Sequence, residues 1–373
     1  MIFKNAKRPV LILGWGIHLA HAEKEAHDFA QRTGVPVVAT WGAADLFNWD
    51  HPLYVGTFGT HGTRPANWAV QNADIVLSVG SRLDTKATGS PASDFARNAQ
   101  VTMVDIDQAE IDKFKRLGRE VTGIRMDAKQ FLQAESNRPV ECPQWIDRIA
   151  KWKRDYPIVL PEYHKQADNP YVFIDKLSDM VRADDTIVSD TGCPVGWMAQ
   201  AFRFKGQRFY HAWNNTPMGY GLPAAIGAAF ATGGRVILVT GDGGLSVNVT
   251  EMATLARHQL PVKIILFNNR GHAMCRQTQR TWMDGTYPST SYEGGLAMPD
   301  FEAVARAYEI EVGYENPAWG IEAMLRCSGP GLYQFNVGLD HQIVPQVRAG
   351  QPLENADPQL SPEELAEAMN VSS

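Results

Sequence analysis

The residues best suited to chemistry stand in two short segments in the second half of the chain. One is Gly-Asp-Gly-Gly at 241–244, and the other is Asn-Asn at 268–269. Asp242 offers a hard cation a carboxylate oxygen and Asn269 offers an amide oxygen. The turn that follows adds a backbone carbonyl, most naturally that of Gly271. With phosphate oxygens and water in the remaining places, this ligand set suits an octahedral Mg²⁺ ion.

The apolar pattern places these two segments at one edge of a sheet. The apolar runs 235–240 and 262–267 directly precede them, and a helical pattern lies between the runs. Adjacent parallel strands joined by a right-handed helical crossover end at the same edge, where open α/β sheets bind ligands. A Gly-Asp-Gly triplet by itself is usually a turn, but this whole order of elements is far more specific. Gly243 and Gly244 are expected to let backbone N–H groups approach a phosphate.

The pattern along the chain predicts an α/β protein with two doubly wound parallel-sheet domains. Continuous apolar runs alternate with helical periodicity, which is typical of strands buried on both faces of a parallel sheet. We expect domains at 1–135 and 169–349, a proline-punctuated connector at 136–168 and a polar, mobile tail at 350–373. The predicted strands are 10–13, 35–39, 74–79, 101–106, 186–189, 235–240, 262–267 and 332–337. The predicted helices are 21–32, 144–155, 172–181, 222–231, 249–258, 301–308 and 321–325, and a capping box stands at 361–364.

The composition argues against several classes of protein. The 373 residues carry 35 Lys and Arg against 41 Asp and Glu, a formal charge of −6 that disfavours nucleic-acid binding through a basic surface. The four cysteines (142, 193, 275 and 327) are widely spaced and indicate neither a disulfide framework nor a zinc site. No apolar run reaches ~18 residues, and the N-terminus lacks a secretory signal. We expect a cytoplasmic protein that binds neither nucleic acid nor membrane.

Further motifs extend the pattern over most of the chain. They are Ser-Asp-Thr-Gly at 189–192, Met-Gly-Tyr-Gly-Leu-Pro-Ala-Ala at 218–225, Pro-Asp-Phe at 299–301 and Ala-Arg-Ala-Tyr at 305–308. With the segment 241–269, they resemble the thiamine diphosphate-dependent enzymes of the acetolactate synthase group. Segments 56–66, 79–89 and 104–111 resemble the middle domain of that family. The resemblance covers about 8–349 and implies the thiamine diphosphate-binding fold, with two Rossmann-like domains.

The resemblance implies a metal and diphosphate site in the second domain. Asp242 and Asn269 hold Mg²⁺ through their side chains and Gly271 through its carbonyl. Gly243 and Gly244 bind diphosphate oxygens through their backbone N–H groups. These assignments make thiamine diphosphate and Mg²⁺ the expected cofactors.

Other positions are implied to contact the organic part of the cofactor. Met218 is expected to wedge between its two rings, against the plainer interpretation that Met218 packs in the core. The Thr216 carbonyl is expected to face its amino group, and Met274 is also assigned to cofactor binding. The family usually has Gln-His where this chain has Cys193-Pro194. Pro194 has no N–H to donate, so the Cys193 N–H is the remaining candidate there.

Two residues that follow Gly271 are candidates for a role towards the substrate. His272 is a candidate for proton transfer, although a single His is more often a structural hydrogen-bonder, and Gln277 is a candidate for orienting substrate. Acetohydroxyacid synthases place a Trp where this chain has Thr278, and the run 276–279 instead resembles family members from cell-surface sugar pathways. That departure weakens an assignment to branched-chain amino-acid synthesis.

The first domain carries a second candidate site. In the family it often binds a flavin or another ADP-bearing ligand, and the matching positions here are Gly16, His61, Arg82 and Asp105. Arg82 could pair with a diphosphate and Asp105 with ribose hydroxyls. The resemblance therefore makes FAD an expected ligand. The alternative is a scaffold that organises oligomers.

The resemblance also implies that one domain is missing from these residues. Full-length members carry a pyrimidine-binding domain that supplies a Glu to the cofactor, and no matching Glu stands here. We therefore expect one subunit of a split carboligase that acts on a 2-oxo acid such as pyruvate and on a carbonyl acceptor. A second subunit would complete it, in a dimer of heterodimers. The alternatives are a 2-oxo acid decarboxylase subunit and a non-catalytic assembly partner that keeps the fold.

Overall fold

A computed structural model of the chain describes residues 2–135, 138–212, 215–313 and 320–371. The chain divides into two compact units, Met1–Ile158 with Val344–Ser373 and Val159–Ile343. This division differs from the predicted boundaries because the connector is shared between the units and the last segment returns to the first one. Met1, the first two residues of the predicted connector (136 and 137) and the last two of the predicted tail (372 and 373) lie outside the described residues.

Unit 1 is built around a parallel sheet of six strands in the order β3-β2-β1-β4-β5-β6. The strands are β1 (Pro9–Leu13), β2 (Val37–Ala39), β3 (Tyr54–Thr57), β4 (Ile75–Val79), β5 (Gln100–Asp105) and β6 (Thr122–Arg125). The helices are α1 (Gly16–Leu19), α2 (Glu23–Thr33), α3 (Arg64–Asn72), α4 (Thr85–Thr88), α5 (Gln108–Arg116), α6 (Ala128–Ala134) and α7 (Pro143–Asp155), with 3-10 helices at Trp41–Ala43 and Ala92–Asp94. The strand order reverses between β1 and β4, and that crevice is where such sheets bind ligands.

Alternate side chains of β1 enter two different cores. Val10 and Ile12 pack into one apolar cluster, and Leu11 and Leu13 into another. The sheet is therefore covered on both faces, which explains why its central strands are continuous apolar runs.

The C-terminal segment is part of unit 1 and not a mobile tail. It forms the hairpin β13 (Gln346–Val347) and β14 (Ala356–Asp357), followed by the helix α16 (Pro362–Met369), which begins with the predicted capping box. Leu353, Ala356 and Ala368 are buried in a unit 1 core. The buried carboxylate of Glu354 accepts a hydrogen bond from Gln71 Nε2 at 2.6 Å. These long-range contacts have no local signal in the sequence, because a polar segment becomes ordered only by its partners.

Unit 2 contains a second parallel sheet, in the order β11-β12-β10-β9-β7-β8. Its strands are β7 (Thr186–Ser189), β8 (Arg208–Tyr210), β9 (Val236–Gly241), β10 (Val262–Asn268), β11 (Glu311–Val312) and β12 (Gly331–Asn336). Its helices are α8 (Pro170–Met180), α9 (Cys193–Ala201), α10 (Gly221–Thr232), α11 (Asp242–Val247), α12 (Met252–His258), α13 (Ala273–Trp282), α14 (Phe301–Ala307) and α15 (Gly320–Arg326), with 3-10 helices at Pro161–Lys165 and Val249–Glu251. Strand order reverses between β7 and β9, which places the switch point at their carboxyl ends.

The predicted fold class is confirmed, since both sheets are parallel and flanked by helices. The eight predicted strands are all present within one or two residues of their predicted limits. The strands β3, β6, β8 and β11 were not predicted, because each is short and β6 is mostly exposed. Among the described residues, no helix is long and apolar enough to cross a membrane.

Candidate functional site

The parallel pairing of β9 and β10 brings the two predicted metal ligands to the same edge of the unit 2 sheet. Gly241 pairs with Phe267 in the ladder, so Asp242 and Asn269 follow neighbouring strand ends. One carboxylate oxygen of Asp242 accepts hydrogen bonds from the N–H groups of Asn269 and Gly271, both at 3.1 Å. The other oxygen accepts from the Gly243 N–H at 2.8 Å. Asp242 therefore joins the end of β9 to the loop that follows β10.

The environment of Asp242 is poor for an isolated negative charge. The residue is only 2% exposed. Burial raises the pKa of its carboxyl to about 6, even though the backbone N–H groups of Gly243, Gly271 and Asn269 pull that pKa down. A cation beside the carboxylate would offset this penalty, because an opposite charge favours the ionised form.

Asn269 provides a second oxygen that fits a cation. Its side-chain Oδ1 is buried and has no hydrogen-bond partner among the described residues. Leaving a buried acceptor unpaired is costly, and oxygen ligation to a metal would satisfy it. In the part of the chain that the structure describes, no three His, Cys, Asp or Glu residues are grouped to hold a metal. A Mg²⁺ ion here would therefore depend on the Asp242 carboxylate, the Asn269 amide oxygen, a backbone carbonyl such as that of Gly271, and ligands from outside the chain.

Asp190, in the Ser-Asp-Thr-Gly motif at 189–192, belongs to the candidate site, although the sequence analysis gave it no role. It directly follows β7, at the switch point, and is buried. Its Oδ1 accepts hydrogen bonds from the N–H groups of Thr191 at 2.7 Å and Gly219 at 3.1 Å, and its Oδ2 lies 3.4 Å from the Thr240 hydroxyl. Burial raises the pKa of Asp190. A signal for it existed, because an acidic residue at the end of the first strand of a doubly wound sheet falls at the ligand-binding edge.

The two glycines after Asp242 pack closely against neighbouring side chains, which would have to shift to admit a Cβ atom. A Cβ atom on Gly244 would lie 2.6 Å from the Asp190 carboxylate, and one on Gly243 would lie 2.5 Å from the imidazole of His272. Both distances are shorter than real contacts allow. The expected role of these glycines, close approach to a phosphate, stays a prediction beside this packing reason.

Met218 lies at the open surface of the unit. It is 46% exposed, so core packing does not explain it. Its sulfur would be 3.4 Å from a Cβ on Gly243, which places it over the same loop. The next residue, Gly219, has a φ of 91° and is fixed on both sides, since its N–H donates to Asp190 and its carbonyl accepts from Asn248 Nδ2 at 2.7 Å. Thr216, with φ 43°, lies half-buried in the same segment.

The remaining candidates of unit 2 lie in helix α13 or directly before it. His272 stands just before it, half-buried over Gly243, and burial lowers its pKa. Met274 is half-buried in the first turn. Gln277 is buried, and its amide both donates to the Ile343 carbonyl and accepts from the Ile343 N–H, each at 3.2 Å. Gln277 therefore anchors a backbone segment, and its expected role towards substrate stays a prediction.

Cys193 begins helix α9 and is buried. Burial raises the pKa of its thiol to about 12, with smaller contributions from Cys275 and the carboxylate of Asp242. The thiol is therefore neutral at physiological pH. Pro194 occupies the first turn of α9 and, as predicted, has no N–H to donate.

In unit 1, the predicted nucleotide-site residues lie at the carboxyl ends of strands but have protein partners. The N–H of Gly16 donates to the Gly80 carbonyl at 2.8 Å, and a Cβ on Gly16 would meet Gly80 at 2.6 Å. Arg82 forms an ion pair with Glu110 at 2.8 Å. Asp105, half-buried at the end of β5, accepts from the Asp107 N–H at 2.9 Å.

His61 follows β3 in the same unit. It contacts the Thr60 hydroxyl at 3.2 Å, and its ring lies 5.6 Å from that of Trp41. Burial, with the positive charge of Lys86, lowers the pKa of His61 to about 4. This histidine is therefore neutral in the folded protein at neutral pH.

Two family models match the chain. One, described as "Thiamine pyrophosphate enzyme, central domain", matches residues 1–134 in unit 1. The other, described as "Thiamine pyrophosphate enzyme, C-terminal TPP binding domain", matches residues 190–327 in unit 2. The second match contains the whole Asp190, Asp242 and Asn269 site.

Several curated proteins are similar over nearly the whole chain. The acetolactate synthase large subunit of Cyanidium caldarium is 32% identical over 93% of the chain and 60% of its own length. The large subunits of acetolactate synthase isozymes 1 and 2 of Escherichia coli (strain K12) are 30% and 32% identical, over 92% and 93% of the chain and 61% and 63% of their own lengths. The chain thus spans about 60% of the length of these relatives. On its two matching domains and these relatives, the chain belongs to the thiamine pyrophosphate enzyme family.

Proposed function

We propose that this chain is part of a thiamine diphosphate-dependent carboligase, which removes CO₂ from a 2-oxo acid such as pyruvate and joins the acyl unit to a carbonyl acceptor. The observation that carries the proposal is the pairing of Asp242 with Asn269, whose buried amide oxygen has no hydrogen-bond partner among the described residues. The family match and the relatives named acetolactate synthase support the same reaction class.

The residues of unit 2 divide the work of holding the cofactor. Thiamine diphosphate, when bound, supplies a nucleophilic carbon and an electron sink to the substrate. Asp242 and Asn269 would hold Mg²⁺ by side chain and Gly271 by its carbonyl, and the glycine loop would face the diphosphate. Met218 would support the ring system, because its neighbour Gly219 is fixed by hydrogen bonds on both sides. His272, neutral because burial lowers its pKa, would be able to accept a proton.

The same proposal includes a second subunit that carries the pyrimidine-binding domain and its Glu. The support is the exposure of Met218 and of Val247, which are both about half exposed beside the glycine loop at 243–244. Apolar side chains grouped at a surface mark sites that another protein covers. The assembly would be a dimer of heterodimers in the cytoplasm, with each site formed between subunits.

A companion proposal places FAD, or another ADP-bearing ligand, in unit 1. It is supported by the strand order of the sheet and by Arg82 and Asp105 at the ends of β4 and β5. Since Arg82 is paired with Glu110, ligand binding would require the guanidinium to exchange this partner for a phosphate.

The decisive experiment measures CO₂ release and condensation products from pyruvate and other 2-oxo acids, with thiamine diphosphate and Mg²⁺. It compares the chain by itself with the chain plus the product of the neighbouring gene. We expect turnover only in the mixture. Full turnover by the single chain would contradict the split site, whereas CO₂ release without condensation would identify a decarboxylase. Cofactor binding without turnover in either sample would identify an assembly partner that keeps the fold.

A further inference from the structure

Lys263 occupies an unusual place in the unit 2 sheet. It is the second residue of the inner strand β10, and it is 0% exposed. Within β10, Lys263 lies between Val262 and the run 264–267, and these five neighbours are all apolar and buried. A buried lysine needs partners for its amine, because an unpaired charge is costly in a low-dielectric interior. No carboxylate lies within ion-pair distance of Lys263 among the described residues.

The partners of Lys263 all belong to the turn that follows helix α15. Its Nζ donates to the Cys327 carbonyl at 2.7 Å and lies 2.9 Å from the Cys327 sulfur, and it also donates to the Gly329 carbonyl. The thiol in turn lies 3.1 Å from the Met324 carbonyl. Amine and thiol are therefore held in contact by four backbone and side-chain interactions.

Little free space surrounds the Lys263 amine and the Cys327 thiol. Gly331 pairs with Lys263 in the ladder between β10 and β12, and a Cβ there would lie 2.7 Å from Met324 Cγ and 3.4 Å from the Cys327 sulfur. Cys327 itself is half-buried, so part of the residue is open to solvent and to small solutes.

The burial of Lys263 favours a reactive amine. Burial lowers the pKa of Lys263; the contact with Cys327 opposes that shift, and the guanidinium of Arg235 adds to it. The carboxylate of Glu311 opposes the downward shift and is the smallest of these contributions, whereas the carboxylate of Asp185 is paired with Arg235 at 2.6 Å. A larger share of neutral amine means a nitrogen lone pair beside the sulfur.

We propose that Lys263 and Cys327 form a covalent, redox-reversible cross-link when the protein is exposed to hydrogen peroxide. Peroxide first oxidises the thiol to a sulfenic acid and is itself reduced to water. The neutral amine then attacks the sulfur, the S–O bond breaks, and a second water leaves with the proton from nitrogen. Overall one thiol, one amine and one peroxide give one S–N bond and two waters. A reducing thiol that attacks the sulfur releases the amine again.

The position of the pair predicts what the cross-link does. Lys263 lies near the start of β10 and Asn269 directly follows its end, about 20 Å away at roughly 3.3 Å per residue. The bond would fix the turn after α15 to the start of the inner strand β10, away from the candidate metal site. It therefore raises the thermal unfolding midpoint of unit 2 by several degrees and leaves cofactor affinity unchanged. The inference is independent of the carboligase assignment.

The test treats the full chain with hydrogen peroxide and digests it with trypsin under non-reducing conditions, followed by mass spectrometry. We expect two peptides joined through Lys263 and Cys327, with a mass two hydrogens below their sum and no cleavage after Lys263. Dithiothreitol should restore both peptides and the lower unfolding midpoint.

Two variants complete the test. Cys327→Ser keeps the size of the side chain and should lose both the linked peptide and the rise in midpoint. Lys263→Met removes the amine and should leave Cys327 to oxidise to sulfinic acid. A wild-type protein with sulfinic acid at Cys327 and free Lys263 would overturn the proposal. An unreacted Cys327 in a sample whose exposed Cys275 is oxidised would overturn it equally.

Discussion

Removing the carboxylate of Asp242 should affect both the stability of unit 2 and its binding of Mg²⁺. A residue at a strand end is often replaceable, but this one accepts three backbone N–H bonds from the loops after two strands. Asp242→Ala leaves these donors without an acceptor in a buried place. The structure therefore predicts a loss of folding free energy in addition to the loss of a metal ligand.

The size of the effect follows from two opposing contributions. A buried donor without its acceptor costs about 1–3 kcal/mol, so three donors cost about 3–9 kcal/mol. Burial of the charge works in the other direction. The pKa of about 6 corresponds to about 3 kcal/mol against the ionised form at neutral pH, at about 1.36 kcal/mol per pKa unit. The balance is a net loss of about 0–6 kcal/mol, and its middle value of about 3 kcal/mol lowers the unfolding midpoint by roughly 6–12 °C for a unit of this size.

The assay separates the two roles with two variants and a matched control. Thermal unfolding in EDTA reports stability, and calorimetry with thiamine diphosphate, with and without Mg²⁺, reports binding. Asp242→Asn keeps the size and one oxygen, so it should unfold closer to the wild type yet lose Mg²⁺-dependent binding. The control, Asn169→Ala, removes a buried side chain that accepts two N–H bonds at the start of α8. It should lose stability but keep binding. An Asp242→Asn protein with wild-type affinity and Mg²⁺ dependence would refute the ligand assignment.

Three further predictions address the other candidate residues. Gly244→Ala places a Cβ 2.6 Å from the Asp190 carboxylate. The variant should be less stable in unit 2 by about 1–3 kcal/mol and should bind thiamine diphosphate more weakly in calorimetry. Wild-type stability and wild-type affinity would contradict the prediction. Arg82→Ala should weaken FAD uptake by about 1–3 kcal/mol, measured by flavin titration, and a colourless wild type that takes up neither FAD nor ADP would exclude a nucleotide site. Because the pKa of His61 is lowered from 6.5 to about 4, unfolded chains bind a proton that folded ones do not. Stability should therefore fall by about 3 kcal/mol as pH drops through that window. Denaturant titrations across pH should show a flatter profile for His61→Gln, and an identical profile would contradict the buried neutral state.

The elements that position the candidate metal ligands are predictable because their signals are local. The strands β9 and β10 are continuous apolar runs, and the turn residues follow them directly. Because the crossover is right-handed and the strands are parallel, Asp242 and Asn269 must lie at the same edge of the sheet. The structure places them there, with the Asn269 N–H on the Asp242 carboxylate.

The parts that sequence reasoning missed depend on partners far along the chain. β6 is four residues long and mostly exposed, so it carries no apolar pattern and becomes a strand only because β5 lies beside it. The C-terminal segment looked like a tail because it is polar. Its order depends on contacts such as the Trp68 indole N–H, which donates to the Glu354 carbonyl at 3.3 Å. Such contacts join positions nearly 300 residues apart, and no periodicity records them.

The connection between Asp190 and Met218 explains how an exposed side chain keeps a fixed place. Met218 is nearly half exposed, yet the Gly219 that follows it is hydrogen-bonded to Asp190 on one side and to Asn248 on the other. Asp190 also packs against Gly244, so the Met218 segment and the glycine loop at 243–244 share one buried carboxylate as their support. The Met218 segment and the glycine loop are therefore held in place by contacts within unit 2. Asp190→Ala removes that shared support, so it should disturb Met218 and the glycine loop together.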